Sequence, residues 1–144
     1  MVQLHDNIPK YVAVSARQIQ AFMARRMESL GIGPGQYTYL FALYREDGQT
    51  QQSLADHLLV DKSAAVGAIN RLEGLGYVER RSDPEDRRTF RIHLTERGRA
   101  IRPELEACVE EVQEILLQGL SPEERGLLGQ LLKRVLANVT RANR

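Results

Sequence analysis

Apolar residues recur at helical spacing along most of this chain, and the period changes only once. From Pro9 to Leu30, Val12, Ile19, Phe22, Met23 and Leu30 fall at near-helical intervals. Gly31-Ile32-Gly33-Pro34-Gly35 then stops that helix and starts a turn. A second helix is predicted over Tyr37–Arg45, with Leu40, Phe41, Leu43 and Tyr44 as its stripe and Glu46-Asp47-Gly48 closing it. Thr50 can cap a third over Gln51–Leu59, which turns Leu54, Leu58 and Leu59 inward. Asp61 is a good N-cap for a fourth running to Glu73, and Ala65, Ile69 and Leu72 form its buried i, i+4, i+7 stripe. Gly74 and Gly76 end it.

Past Gly76 the pattern alternates. Tyr77–Arg81 and Thr89–Leu94 are short, partly β-branched runs joined by the polar stretch Ser82–Arg88, which together predict a hairpin. Thr95 then caps a long helix carrying Ile101, Leu105, Cys108, Val109, Val112, Ile115 and Leu116 on one side. Ser121-Pro122-Glu123-Glu124 is a capping box with proline at the first helical position. The last helix it opens repeats Leu127-Leu128, Leu131-Leu132, Val135-Leu136 and Val139 every four residues. No internal repeat or low-complexity linker interrupts the order.

Composition narrows the classes. With 144 residues, 42% of them hydrophobic, the chain suits one compact domain or a small domain with helical extensions. It has no apolar run long enough to span a membrane. Met1–Asp6 lacks the basic-then-apolar layout of a secretory signal, and one cysteine, Cys108, cannot form an internal disulfide. The expectation is a cytoplasmic protein. A net charge of +1 does not itself announce a nucleic-acid partner. Its distribution is more informative: five arginines (Arg80, Arg81, Arg87, Arg88, Arg91) stand against three acids between positions 80 and 91. The balancing acids lie largely in the later helices.

The third and fourth helices, joined by the tight Leu59-Val60-Asp61 turn, have the form of a helix-turn-helix, whose second helix enters the major groove. Lys62 and Ser63 at its exposed N-terminal end offer a cation, a hydroxyl and free backbone amides, while Asn70 and Arg71 lie further along the outward face. An ordinary amphipathic helical hairpin is the competing reading of these helices alone. The basic-tipped β-hairpin that follows favours a winged domain.

The residues Gln52–Leu58, Asp61-Lys62-Ser63 and Arg71–Val78 continue into Arg80–Arg88 and close on Leu94-Thr95-Glu96-Arg97-Gly98. Together they resemble the MarR family of transcriptional regulators over essentially the whole chain. The resemblance implies a mainly α fold with a small β-hairpin: a winged helix-turn-helix lobe (35–98) flanked by N- and C-terminal dimerisation helices (8–30 and 99–143), forming one domain over 1–144. It implies that Arg88 enters the minor groove from the wing tip and that Asp86 pairs with an arginine to hold the wing. Arg87 and Arg91 become phosphate contacts, and Gln52 and Ser53 position the domain on the backbone. For Asp86 and Arg87 a solvated turn pair is the alternative. The sequence departs from the family at Ala64, Val66 and Gly67, where polar or basic residues are frequent. These can touch a thymine methyl but cannot pair with a base edge, so shape readout by the wing is expected to carry more of the specificity.

The resemblance also implies a homodimer on a pseudo-palindromic double-stranded DNA operator, repression, and release by a small aromatic or anionic effector. Arg17 and Tyr37 are the candidates to hold that effector, or else ordinary interface or surface positions. No cofactor or metal is expected: His5, His57 and His93 are isolated and no Cys/His pair has ligand spacing. Cys108 reads as a small packed residue. Motifs of catalytic loops and elbows are absent, so an enzyme is not expected. The alternative function is a winged protein-interaction module without direct DNA binding.

Overall fold

The computed structural model describes residues 7–144, which fall into two compact units dividing after Val109. His5 lies outside the described residues. In the first unit, helix α1 (Ile8–Arg26) starts where Asn7 Oδ1 accepts the Lys10 amide at 3.1 Å. The single helix expected to Leu30 is instead broken after Arg26, and Glu28–Leu30 forms a 3₁₀ turn. The cause is local: Gly31 adopts φ +75°, and its amide reaches only three residues back, to Glu28 O at 3.0 Å.

Helix α2 (Tyr37–Arg45) buries Tyr39, Leu40, Ala42 and Leu43, and the two-residue strand β1 (Gln49–Thr50) follows it. Thr50 also caps α3 (Gln51–Leu58) by accepting the Ser53 amide at 3.1 Å. The turn into α4 (Lys62–Gly74) passes through Leu59 at φ +57°. There the Val60 amide donates to Ala55 O and the Leu59 amide to Asp56 O, which satisfies carbonyls that the end of α3 would otherwise leave open. Asp61 caps α4, and Ala65, Ala68, Ile69 and Leu72 form its buried face.

Strands β2 (Val78–Ser82) and β3 (Phe90–Leu94) make the expected hairpin, with Arg80 opposite Ile92. The sheet has a third member that the sequence pattern did not foretell: β1 pairs antiparallel with β3, Gln49 opposite Ile92, giving the order β1-β3-β2. A two-residue strand has no periodicity to read. The long helix expected after Thr95 is two helices, α5 (Glu96–Ala100) and α6 (Arg102–Leu117). Pro103 accounts for the break, because it has no amide to donate to Arg99 O and its ring would collide with that carbonyl.

The core of this unit gathers Met23, Met27, Leu40, Leu43, Leu54, Ile69, Leu72, Tyr77 and Ile92, all essentially inaccessible to solvent. Each such side chain contributes about 1.5–3 kcal/mol through removal from water. Two tyrosines stitch its helices together. Tyr77 donates to Leu30 O at 2.7 Å beneath the Arg97 guanidinium, and Tyr44 donates to Gly98 O at 2.6 Å. Burial pushes the Tyr44 phenol up to about 12, so it stays a donor at any working pH.

The Leu-Thr-x-x-Gly segment now has a structural reason. Thr95 Oγ1 accepts the Gly98 amide at 3.0 Å while donating to Gly76 O at 2.6 Å, and the Thr95 amide reaches Tyr77 O at 3.1 Å. These bonds bring α5 so close to the Tyr77 carbonyl that a Cβ on Gly98 would overlap it.

In the second unit, Ser121 and Glu124 complete the expected capping box of α7 (Pro122–Ala142): Ser121 Oγ accepts the Glu124 amide at 3.1 Å and Glu124 Oε1 accepts the Ser121 amide at 2.9 Å. No residue of this 21-residue helix is buried.

Candidate nucleic-acid interface

Because Ala65, Ala68, Ile69 and Leu72 face the core, helical geometry puts Ser63, Gly67 and Asn70 along the opposite, exposed face of α4. Lys62 is exposed at its first turn. Two donors of this turn, the Ala64 amide and the Ser63 hydroxyl, are already engaged. Asp61 Oδ1 accepts the Ala64 amide at 2.7 Å and the Ser63 hydroxyl at 2.7 Å. The Ala64 amide above all, and then the Ser63 hydroxyl, hold the Asp61 carboxyl below the usual range, so the end of the helix carries a fixed negative charge.

Further along, Asn70 Oδ1 accepts from the Arg80 guanidinium at 2.6 Å, and the other arm of Arg80 reaches Glu73 at 2.6 Å, which fastens β2 to α4. Arg71 Nη2 donates to Gly31 O at 3.1 Å across a separation of 40 residues. Both were expected to meet DNA, and both are engaged within the chain. On α3, Gln52 and Ser53 are exposed as expected, and each touches a side chain four residues away: Asp56 at 2.8 Å and Gln49 at 3.2 Å.

The wing is built by two aspartates. Asp83 is buried; its Oδ1 accepts the Glu85 amide at 2.9 Å and its Oδ2 the Arg91 Nε at 2.8 Å. The Glu85 amide first, then Arg91, hold this carboxyl below the ordinary range. Asp86 takes the Arg88 amide at 3.0 Å and the Thr89 hydroxyl at 3.1 Å. Asp86 therefore shapes the tip through a backbone amide and a hydroxyl, and the arginine pair expected of it belongs to Asp83.

Arg91, expected at a phosphate, is an internal strut: its other donor reaches Gly48 O at 3.0 Å, which ties β1 to the wing. Arg81 pairs with Glu79. Among the described residues the Arg87 and Arg88 side chains have no hydrogen-bond or ion-pair partner, and both are exposed at the tip. On the helix-turn-helix and wing, two uncommitted guanidiniums thus stand on a braced hairpin and one uncommitted ammonium, Lys62, on a capped helix; Arg45, at the end of α2, is also exposed without a partner among the described residues.

A family profile described as the MarR family matches residues 30–89. A MarR transcriptional regulator of Methanosarcina mazei Go1, known from its crystal structure, is 36% identical; the match covers 94% of this chain and 97% of that one, with a TM-score of 0.87. The chain belongs to the MarR family of transcriptional regulators. A protein of Thauera aromatica assigned as a transcriptional regulator for the hcr operon is 36% identical over 121 residues, covering 82% of this chain and 73% of its own. A Listeria monocytogenes protein assigned to the same family was crystallised with a 26-mer DNA. It is 25% identical, with 94% and 91% of the two chains covered and a TM-score of 0.87.

Within this MarR-family chain, the effector candidates occupy different environments. Arg17 is exposed on α1. Tyr37 is half-buried, with its ring edge-on to Phe41 at 6.1 Å, and burial raises its phenol. No hydrogen bond or cation–ring contact joins the two residues among those described. The sequence reading missed Gln20, whose side-chain carbonyl oxygen is buried without a donor three residues beyond Arg17. It also missed Asp83 as the wing's keystone, although an aspartate before a proline in a turn is a visible signal. His57 is exposed, and His93 Nδ1 lies 3.6 Å from Asp47. No described group of acidic, histidine and cysteine residues could hold a metal, and no described helix is long and apolar enough to cross a membrane.

Proposed function

We propose that this MarR-family regulator is a homodimeric repressor that binds a pseudo-palindromic operator in double-stranded DNA and is released by a small aromatic or anionic ligand. The observation that carries the DNA reading is the pair Arg87 and Arg88, exposed and unpaired on a wing whose shape is fixed by Asp83 and Asp86. Holding these guanidiniums in place before binding reduces the entropy lost when they enter a narrow, negatively charged minor groove. Lys62 adds a cation at the start of the helix that would lie in the major groove.

Dimerisation is supported by α7, which exposes Leu127, Leu128, Leu131, Leu132, Val135, Leu136 and Val139. On α1, Ile8, Tyr11 and Val12 are exposed as well. Such apolar ladders gain about 1.5–3 kcal/mol per large side chain when a partner covers them. A two-fold dimer would set two α4 helices ~34 Å apart, one turn of DNA. For the effector, Arg17 supplies a cation and Tyr37 a neutral phenol beside Phe41, with the unsatisfied Gln20 oxygen on the Arg17 face of α1.

Selection of bound fragments from random duplex DNA by the purified protein tests this reading. The expected result is a two-fold-related, A·T-containing site whose affinity falls steeply with salt. A panel of aromatic acids added to the same assay is expected to release it. Failure to retain any duplex at low salt would instead support a winged protein-interaction module.

A further inference from the structure

Down the middle of the outward face of α4 the residues are Ser63, Gly67, Asn70 and Gly74. The Ser63 hydroxyl donates to Asp61, Asn70 accepts from Arg80, and Gly74 is the last residue of the helix. Gly67 stands at the centre, exposed and with an ordinary helical φ. A Cβ built there meets nothing within 4 Å. Neither packing nor backbone conformation asks for glycine at this position, yet glycine weakens a helix interior relative to alanine. What a glycine does supply at this point is room for a surface outside the chain to approach the helix backbone closely. Beside it, exposed Ala64 and half-buried Val66 present only aliphatic surface.

The major-groove edges of three bases present only hydrogen-bonding groups, whereas thymine adds a 5-methyl. An aliphatic surface pressed on amino or carbonyl groups leaves them desolvated and unpaired, which is unfavourable. Pressed on thymine methyls, it removes apolar area from water. We infer that Gly67, with Ala64 and Val66 at its sides, is the specificity-determining step of α4: it lets the helix backbone approach the base edges and selects thymine by its 5-methyl group. This inference rests on the DNA-binding reading above and names the chemistry that the helix recognises.

The test uses the full-length protein and the site recovered by fragment selection. Each thymine of the half-site is replaced by deoxyuridine, which removes the methyl and leaves the pairing intact. Loss of about fourfold in affinity at one or two thymines under α4 is expected for each methyl withdrawn from contact. In parallel, Gly67→Ala is expected to raise the melting temperature by a few degrees, on the order of the alanine-over-glycine preference, while weakening operator binding tenfold or more. Equal affinity for thymine and uracil operators, a selected half-site lacking thymine under α4, or unchanged binding by a stabilised Gly67→Ala protein would each overturn the inference while leaving DNA binding intact. Binding to no duplex at all would overturn the DNA function and this inference together.

Discussion

The winged lobe and helix α7 meet opposite conditions. In the lobe, large apolar side chains are buried and the arginines of the sheet are mostly paired: Arg80 with Glu73, Arg81 with Glu79, Arg91 with Asp83. In α7 the capping is complete at the N-terminus, yet no side chain is buried and seven leucines and valines stay exposed. Local helix signals are thus satisfied in both, and only the lobe completes its own core. The exceptions on the wing and the second helix of the helix-turn-helix, Arg87, Arg88 and Lys62, are then the informative ones, because each is a cation left without an internal partner where DNA would lie.

The sharpest way to break the lobe's side of this contrast is Gly98→Ala, since the added Cβ would strike the Tyr77 carbonyl. A loss of about 3 kcal/mol or more in unfolding free energy is expected in denaturant titration. A wild-type midpoint would show that α5 can move away freely. On the other side, Leu131→Glu combined with Val135→Glu places charges in the exposed ladder of α7. Sedimentation is expected to show monomers, with operator affinity lower by about a hundredfold (~2.7 kcal/mol) as the second half-site is lost. The lobe's melting curve measured at monomer concentrations should hardly change. A persistent dimer would mean that α7 is not the interface.

Arg88→Ala is expected to weaken operator binding about tenfold, within the range of single DNA contacts, and to flatten the A·T preference at the wing position. Arg91→Ala would instead lower stability, because its guanidinium ties Asp83 to Gly48. The smallest expected effect is pH dependence. Asp83 has a folded-state value below its unfolded one, about 3.9, so the stability it lends is fully present above that pH and is lost as pH falls through the folded value. Melting temperatures between pH 7 and 3 should therefore fall less steeply for Asp83→Asn than for the wild type. Parallel curves would remove Asp83 from its role in the wing.

Much of the fold is legible one turn at a time. Thr50, Asp61, Thr95 and Ser121 all cap helices where side-chain chemistry predicts them, because a cap depends on an amide three residues away. The wing's Asp-Pro and Asp-Arg-Arg segment likewise marks its own turn. The site was less legible. Lys62, Ser63, Arg87 and Arg88 are exposed at the expected ends of their elements, but nothing local distinguishes Arg88, which is free, from Arg91, which is bound.

What the sequence by itself determined is therefore the order of the main helices and of the hairpin, many of their boundaries and the family, since these follow from periodicity, caps and turn residues within a few positions of one another. Tertiary structure alone decided the pairing of β1 with β3, the close approach at Gly98 and the commitments of Arg71, Arg80 and Arg91. The long-range contacts Arg71–Gly31, Arg91–Gly48 and Tyr44–Gly98 join residues 40, 43 and 54 positions apart. Their formation depends on how far distant backbone carbonyls are brought together by the packed core, and no short pattern along the chain encodes that distance.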